Sequence, residues 1–139
     1  DKGYRSLTKS WFDNSPLLEI IKQAKELNFK LIITTDHGTI NVKNPSKVVG
    51  NKDTSLNLRY KTGRSLSYEQ KDVLAVKDPK SIYLPSSAMN SSFIFAKDSL
   101  FFAYPNNYNH YVSYFRNTYQ HGGISLEEVI IPFVILNPR

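Results

Sequence analysis

Three stretches of this 139-residue chain carry residue types that could do chemistry, and the first is Thr34-Thr35-Asp36-His37-Gly38. Asp36 offers a hard carboxylate oxygen and His37 an imidazole nitrogen, and Gly38 lets the backbone turn tightly enough for both side chains to converge on one ion. Half of a metal site is one reading; a strand-end aspartate that caps the following turn is the other. The second stretch, Arg59-Tyr60-Lys61-Thr62-Gly63-Arg64, sets three cations around one glycine. Arg59, Lys61 and Arg64 could clamp a phosphate, arginine by its bidentate fork and lysine as a point charge, or could simply keep an edge strand soluble. In the third, His121-Gly122-Gly123-Ile124-Ser125-Leu126-Glu127-Glu128, the glycines let backbone approach a ligand and free the His121 ring to point inward. Ser125 and Glu128 have the spacing of a capping box that starts a short helix directly afterwards.

The elements that must position these residues follow from periodicity. Ser15 as N-cap and Pro16 at the first helical position open a helix over 16–27, with Leu17, Leu18, Ile21 and Ala24 as its apolar stripe. A strand over 29–35 follows at once, and its run Leu31-Ile32-Ile33 reads as a parallel strand covered on both faces. Asp36 and His37 then fall just past its carboxyl end, the edge where open α/β sheets bind ligands.

Around that unit, residues 1–14 read as a polar lead-in anchored by Tyr4, Trp11 and Phe12, and 39–54 as a long surface loop able to fold over the site. Short strands are expected over 73–76 and 82–84, and a hairpin over 93–96 and 100–103 joined by Lys97-Asp98-Ser99. The Asn- and Tyr-rich stretch 106–120 supplies a site wall, with His110 in an ordinary hydrogen bond. Arg116 is its only basic residue, too few cations for a nucleic-acid stacking platform. Residues 129–136 form a last apolar strand, which Pro132 marks as an edge or a bulge.

Composition bounds the rest. A formal charge of +6 and a pI near 9.5 favour acidic partners such as phosphoesters or nucleic acid. With no cysteine there is neither a disulfide framework nor a thiolate zinc cluster, so any zinc would be held by histidine and carboxylate. No window approaches the ~20 apolar residues that span a bilayer, and the first residues lack the apolar core of a secretory signal. The expectation is one α/β domain, or a piece of one, in the cytoplasm.

Taken in order and spacing, the three stretches and the Ile-Ile-Pro strand resemble the PglZ domain of the alkaline phosphatase superfamily, most of all the carboxyl-terminal effector domain of PorX-type response regulators of bacterial type IX secretion. The likeness runs from about Trp11 to Pro138. It implies a mixed sheet with flanking helices that holds two metal ions, usually zinc, although histidine with carboxylate also suits manganese. Carried over by resemblance, Asp36 and His37 would bind one ion and His121 the second, with Arg59, Lys61 or Arg64 steadying a phosphate. The implied chemistry is in-line cleavage of a phosphoester, an oligonucleotide among the candidates.

The family pattern also places an aspartate ligand, a Thr or Ser nucleophile and an Asp-x-x-x-His pair ahead of the Asp-His-Gly strand. No Asp-x-x-x-His occurs among the 35 residues before Asp36. The expectation is therefore that residues 1–139 are the carboxyl-terminal part of a single PglZ domain, incomplete and inactive alone, with no catalytic nucleophile of its own. A receiver domain would precede it in the intact protein, and self-association or exchange of elements between copies would follow from its open sheet edge. The alternative is a regulatory or partner-binding module that keeps the fold without catalysis, its basic face turned to a regulator or nucleic acid.

Overall fold

Pro16 starts a helix and the last apolar stretch ends in a strand, as their signals require, but the partners these elements choose differ from expectation. A computed structural model describes residues 2–85 and 91–138. In chain order its helices and strands are α1 (Lys2–Asp13), α2 (Pro16–Glu26), β1 (Leu31–Thr34), β2 (Ile40–Asn41), β3 (Asn44–Lys47), β4 (Tyr60–Gly63), β5 (Val73–Val76), β6 (Ser92–Ala96), β7 (Leu100–Ala103), α3 (Tyr108–Phe115), β8 (Tyr119–Gln120), α4 (Leu126–Val129) and β9 (Phe133–Leu136). The class is mixed α/β. The chain forms two units, Asp1–Thr35 with Pro132–Arg139, and Asp36–Ile131.

In the first unit the lead-in is a helix, α1, with no buried residue, so its anchors Tyr4 and Trp11 stand in solvent. Ser15 sits at the N-cap of α2 in extended conformation, yet its hydroxyl donates to the Phe12 carbonyl at 2.9 Å and accepts no capping bond from α2. The expected doubly covered parallel strand is instead antiparallel: β1 pairs with β9, Leu31 opposite Leu136 and Thr34 opposite Phe133. Leu31 and Ile33 are half-buried while Ile32 is 53% exposed, so the consecutive apolar residues alternate between faces as any strand must. Pro132 stands one residue before β9, where its missing N–H removes no ladder bond.

The second unit holds the core. Strands β4, β6 and β5 form an antiparallel sheet in that order, β3 runs parallel to β7, and β2 pairs with β8. Val48, Val73, Ile94, Ala96 and Phe102 pack in one buried cluster, and Ile40, Val42 and Phe101 in another. Three of these residues come from the stretch expected to be a surface loop. Its apolar residues are sparse because β2 and β3 are short and bury only alternate positions, Ile40 and Val42 on one side of the polar Asn41.

The expected hairpin does not form. Both edges of β6 are taken by β4 and β5, so β7 crosses to β3 after the turn in which the Leu100 N–H donates to the Lys97 carbonyl at 3.0 Å. Residues 82–84 are not a strand either: Asp78 accepts from the Lys80 N–H at 3.2 Å and Pro79 opens a 3-10 turn over Pro79–Ile82. Over 106–120 the chain forms α3, entered through a left-handed Asn107 and carrying Tyr111 and Phe115 one turn apart with their rings stacked at 6.2 Å. Among the described residues no helix is long and apolar enough to cross a membrane.

Candidate functional site

Gly38 brings the first and third sequence stretches together. Its N–H donates to the Glu128 carbonyl at 2.8 Å, and a Cβ at this position would overlap the Glu127 carbonyl oxygen, so only glycine lets this segment lie so close to α4. His37 therefore lies beside His121. The two rings stack face to face, centroids 3.7 Å apart and planes within 9°. His37 Nδ1 lies 2.9 Å from the Gly38 carbonyl oxygen, which can only accept, so Nδ1 carries a proton and Nε2 is the nitrogen whose lone pair is available in the neutral ring.

Nε2 of His37 lies 3.7 Å from Asp36 Oδ2, too far for a hydrogen bond and close to the separation of two donors on one ion. The other carboxylate oxygen of Asp36 accepts from the His37 backbone N–H at 3.0 Å. Asp36 thus caps its turn through one oxygen, and the other lies beside the imidazole.

The turn that carries His121 is fastened by two side chains the motif does not name. Gly122 has φ +101°, and a Cβ there would meet Asn57 Nδ2 at 2.7 Å. Asn57 donates to the His121 carbonyl at 3.3 Å and accepts from the N–H groups of Arg59 and Tyr60 at 2.7 and 3.2 Å, tying the second stretch to the third. Glu128 does more. Its carboxylate accepts from the Gly123 N–H at 2.9 Å, the Ser125 N–H at 3.2 Å and the Ser125 hydroxyl at 2.8 Å, within the capping box expected from the sequence.

Arg59 completes this carboxylate from a distance of 69 residues, Nε to Oε1 at 3.0 Å and Nη2 to Oε2 at 2.9 Å, while Nη1 donates to the Leu100 carbonyl. Both side chains are essentially without solvent exposure. Burial alone would raise the Glu128 pKa, but the Arg59, Gly123 and Ser125 hydrogen bonds and the Arg59 charge outweigh it and hold the carboxyl below its ordinary range. Glu128 and the Leu100 carbonyl between them engage all three nitrogens of the guanidinium.

Lys61 and Arg64 go elsewhere. Lys61 is buried, its ammonium donating to the Ser55 carbonyl at 2.9 Å and lying 4.5 Å from the Tyr104 ring centre, whereas Arg64 is exposed. The three cations do not share one environment.

A family model, the BREX system PglZ alkaline phosphatase-like domain, matches residues 2–136. The chain belongs to this PglZ family. No curated protein matches it. The PglZ match confirms the superfamily assigned from the three stretches and with it a phosphatase-type fold, whose members typically use metal ions.

The donors of this PglZ domain fit such ions as contributors and not as a closed site. Among the described residues no three His, Cys, Asp or Glu side chains are gathered where one ion could be held. Zinc takes at least three protein ligands. Asp36 and His37 offer two donors 3.7 Å apart, but an imidazole lone pair lies in its ring plane and the His37 and His121 planes are stacked and nearly parallel, so one ion cannot lie in both.

Proposed function

We propose that this PglZ domain is part of a metal-dependent phosphoester hydrolase, with Asp36 and His37 as ligands of one zinc and His121 as a ligand of a second. The His37–His121 stack carries the reading. Imidazoles 3.7 Å apart with parallel planes suit neighbouring ions, and two-metal phosphoesterases keep their ions roughly 3.5–4 Å apart. The Nδ1–H bond to the Gly38 carbonyl is the outer partner that ligating histidines regularly have, fixing ring orientation and tautomer. When bound, the ions would supply an activated nucleophile and neutralise charge on the transferring phosphoryl group.

The remaining ligands and the nucleophile would come from elsewhere in the intact protein. The order and spacing of the motifs support a finer reading, a cytoplasmic response regulator of type IX secretion with an amino-terminal receiver domain and a phosphoester substrate such as an oligonucleotide. Within the 139 residues, the residues do what can be assigned to them: Gly38 orients His37, and Glu128 and Asn57 hold the turn that presents His121.

Zinc retained after desalting, measured by mass spectrometry on the intact protein, tests the reading. His37→Ala and His121→Ala should each lose bound zinc and reduce phosphodiester hydrolysis by more than the roughly 10–100-fold typical of an outer-shell partner. Unchanged zinc content and unchanged turnover in both variants would sink it.

The same reading expects the 139-residue chain to associate with itself. In its first unit Tyr4, Leu7 and Trp11 stand 60–69% exposed along one stripe of α1, and Ile32 and Phe133 are 53% and 63% exposed on a two-stranded sheet with both edges open. Light scattering should show dimers or larger species that grow with concentration. A constant monomer mass across the range would contradict it.

A further inference from the structure

A cavity of about 500 Å³ in the second unit is walled by Leu58, Phe102, Tyr104, Tyr111 and Phe115, with His121 also at its lining. Into this largely apolar space the chain places one cation. Lys61 lines the cavity and is 1% exposed. Its ammonium has three N–H donors; the Ser55 carbonyl takes one and the Tyr104 ring face lies over the group. Among the described residues no carboxylate lies within ion-pair distance of it. The same segment shows what a neutralised cation looks like: Arg59, two residues earlier, has both oxygens of Glu128.

We infer that this cavity binds a small planar aromatic anion, its ring against Tyr111 and Phe115 and its charged group on the Lys61 ammonium. A buried charge without a counter-charge is costly, and an anion that enters with an apolar body meets both deficits of the cavity at once. The two amides in the lining are engaged and uncharged, Asn57 donating to the His121 carbonyl at 3.3 Å and Gln120 to the Thr118 hydroxyl at 2.9 Å, which leaves Lys61 to set the charge preference. Desolvation lowers the Lys61 pKa to about 8, so the ammonium form is still the majority at neutral pH and gains most from an incoming anion. A phosphoester with an aromatic arm is one source of such an anion and an aryl carboxylate is another. The first would place the arm beside His121 and rests on the proposed hydrolysis; binding as such does not.

Titration calorimetry of the 139-residue chain with phenylphosphonate, benzoate and the neutral isostere benzamide tests this. At least one of the two anions should bind, at least tenfold tighter than benzamide, and which anion is preferred separates the phosphoryl from the carboxylate source. Lys61→Met keeps the apolar stem and should weaken the anion at least tenfold while leaving benzamide unchanged. Tyr111→Ala, at a half-exposed position on α3, should weaken anion and amide alike, because it removes ring surface and no charge. His37→Ala should abolish zinc retention by the intact protein yet leave anion binding by the 139-residue chain unchanged, so that the two proposals fail separately. Equal affinity for benzamide and the anions, an unaffected Lys61→Met, or no binding by the unsubstituted chain at millimolar ligand would overturn the inference.

Discussion

Arg59→Met should cost this domain about 3–5 kcal/mol at neutral pH, the range for removing one partner of a buried ion pair. The loss does not come mainly from the missing attraction. It comes from Glu128, whose carboxylate would stay enclosed with only the Gly123 and Ser125 donors to hold its charge. Urea unfolding should therefore show a lower midpoint with little change in slope. The double variant Arg59→Met/Glu128→Gln should recover part of the loss, because the enclosed charge is gone; a double variant as weak as the sum of both singles would deny the pairing.

The pH dependence has a definite sign. In the native protein Glu128 titrates below its unfolded value near 4.5, so its contribution is complete above that pH and disappears as pH falls through the folded value. In Arg59→Met both contributions of the guanidinium are gone, burial, already the largest single influence on the carboxyl, outweighs the Gly123 and Ser125 donors that remain, and the sign reverses. Glu128 then holds its proton more tightly than in the unfolded chain, and the variant recovers stability on acidification where the native protein loses it. The gap between the two unfolding midpoints should narrow from pH 7 towards pH 4. A constant gap would mean that the guanidinium acts only by filling space.

The same pair shows where sequence reading reaches and where it stops. Ser125 and Glu128 could be paired from their spacing because a capping box is local, closed within one helical turn. Nothing in the spacing of Arg59 announces a carboxylate 69 residues on, so its fork was as compatible with phosphate as with glutamate. Strand pairing fails for the same reason. The residues of β6 and β7 were legible as strands from their aromatic runs, but whether they pair with each other depends on β4 and β5, which close both edges of β6. Stretch 40–48 escaped because two- and four-residue strands hold too few apolar positions to show a period. The Asp-His-Gly and His-Gly-Gly turns were visible individually; their meeting depends on Gly38 lying against α4, a close approach that only the folded chain displays.

Lys61→Met should act in the opposite direction from Arg59→Met, although the two residues are neighbours on one segment and both are buried. Lys61 has a carbonyl and a ring face where Arg59 has a carboxylate, so removing its charge removes a desolvation penalty and strands no partner. The Ser55 carbonyl keeps the Tyr104 hydroxyl as a donor at 3.3 Å. At pH 7 the variant should be as stable as the native protein or more so, by about 1 kcal/mol, the scale of a well-filled exchange of a buried polar group. Its pH profile separates the cause. The folded pKa of Lys61 is about 8 against 10.5 unfolded, so between these values the unfolded chain binds more protons and native stability rises with pH; the variant lacks that rise. The comparison belongs at pH 8 to 9.5. Burial raises the Tyr104 hydroxyl above its ordinary 10.0, and its titration pulls stability down again at higher pH. Destabilisation of Lys61→Met by several kcal/mol would show that the ammonium is already neutralised in the free protein, and with it the argument for an anion in the aromatic cavity would fall.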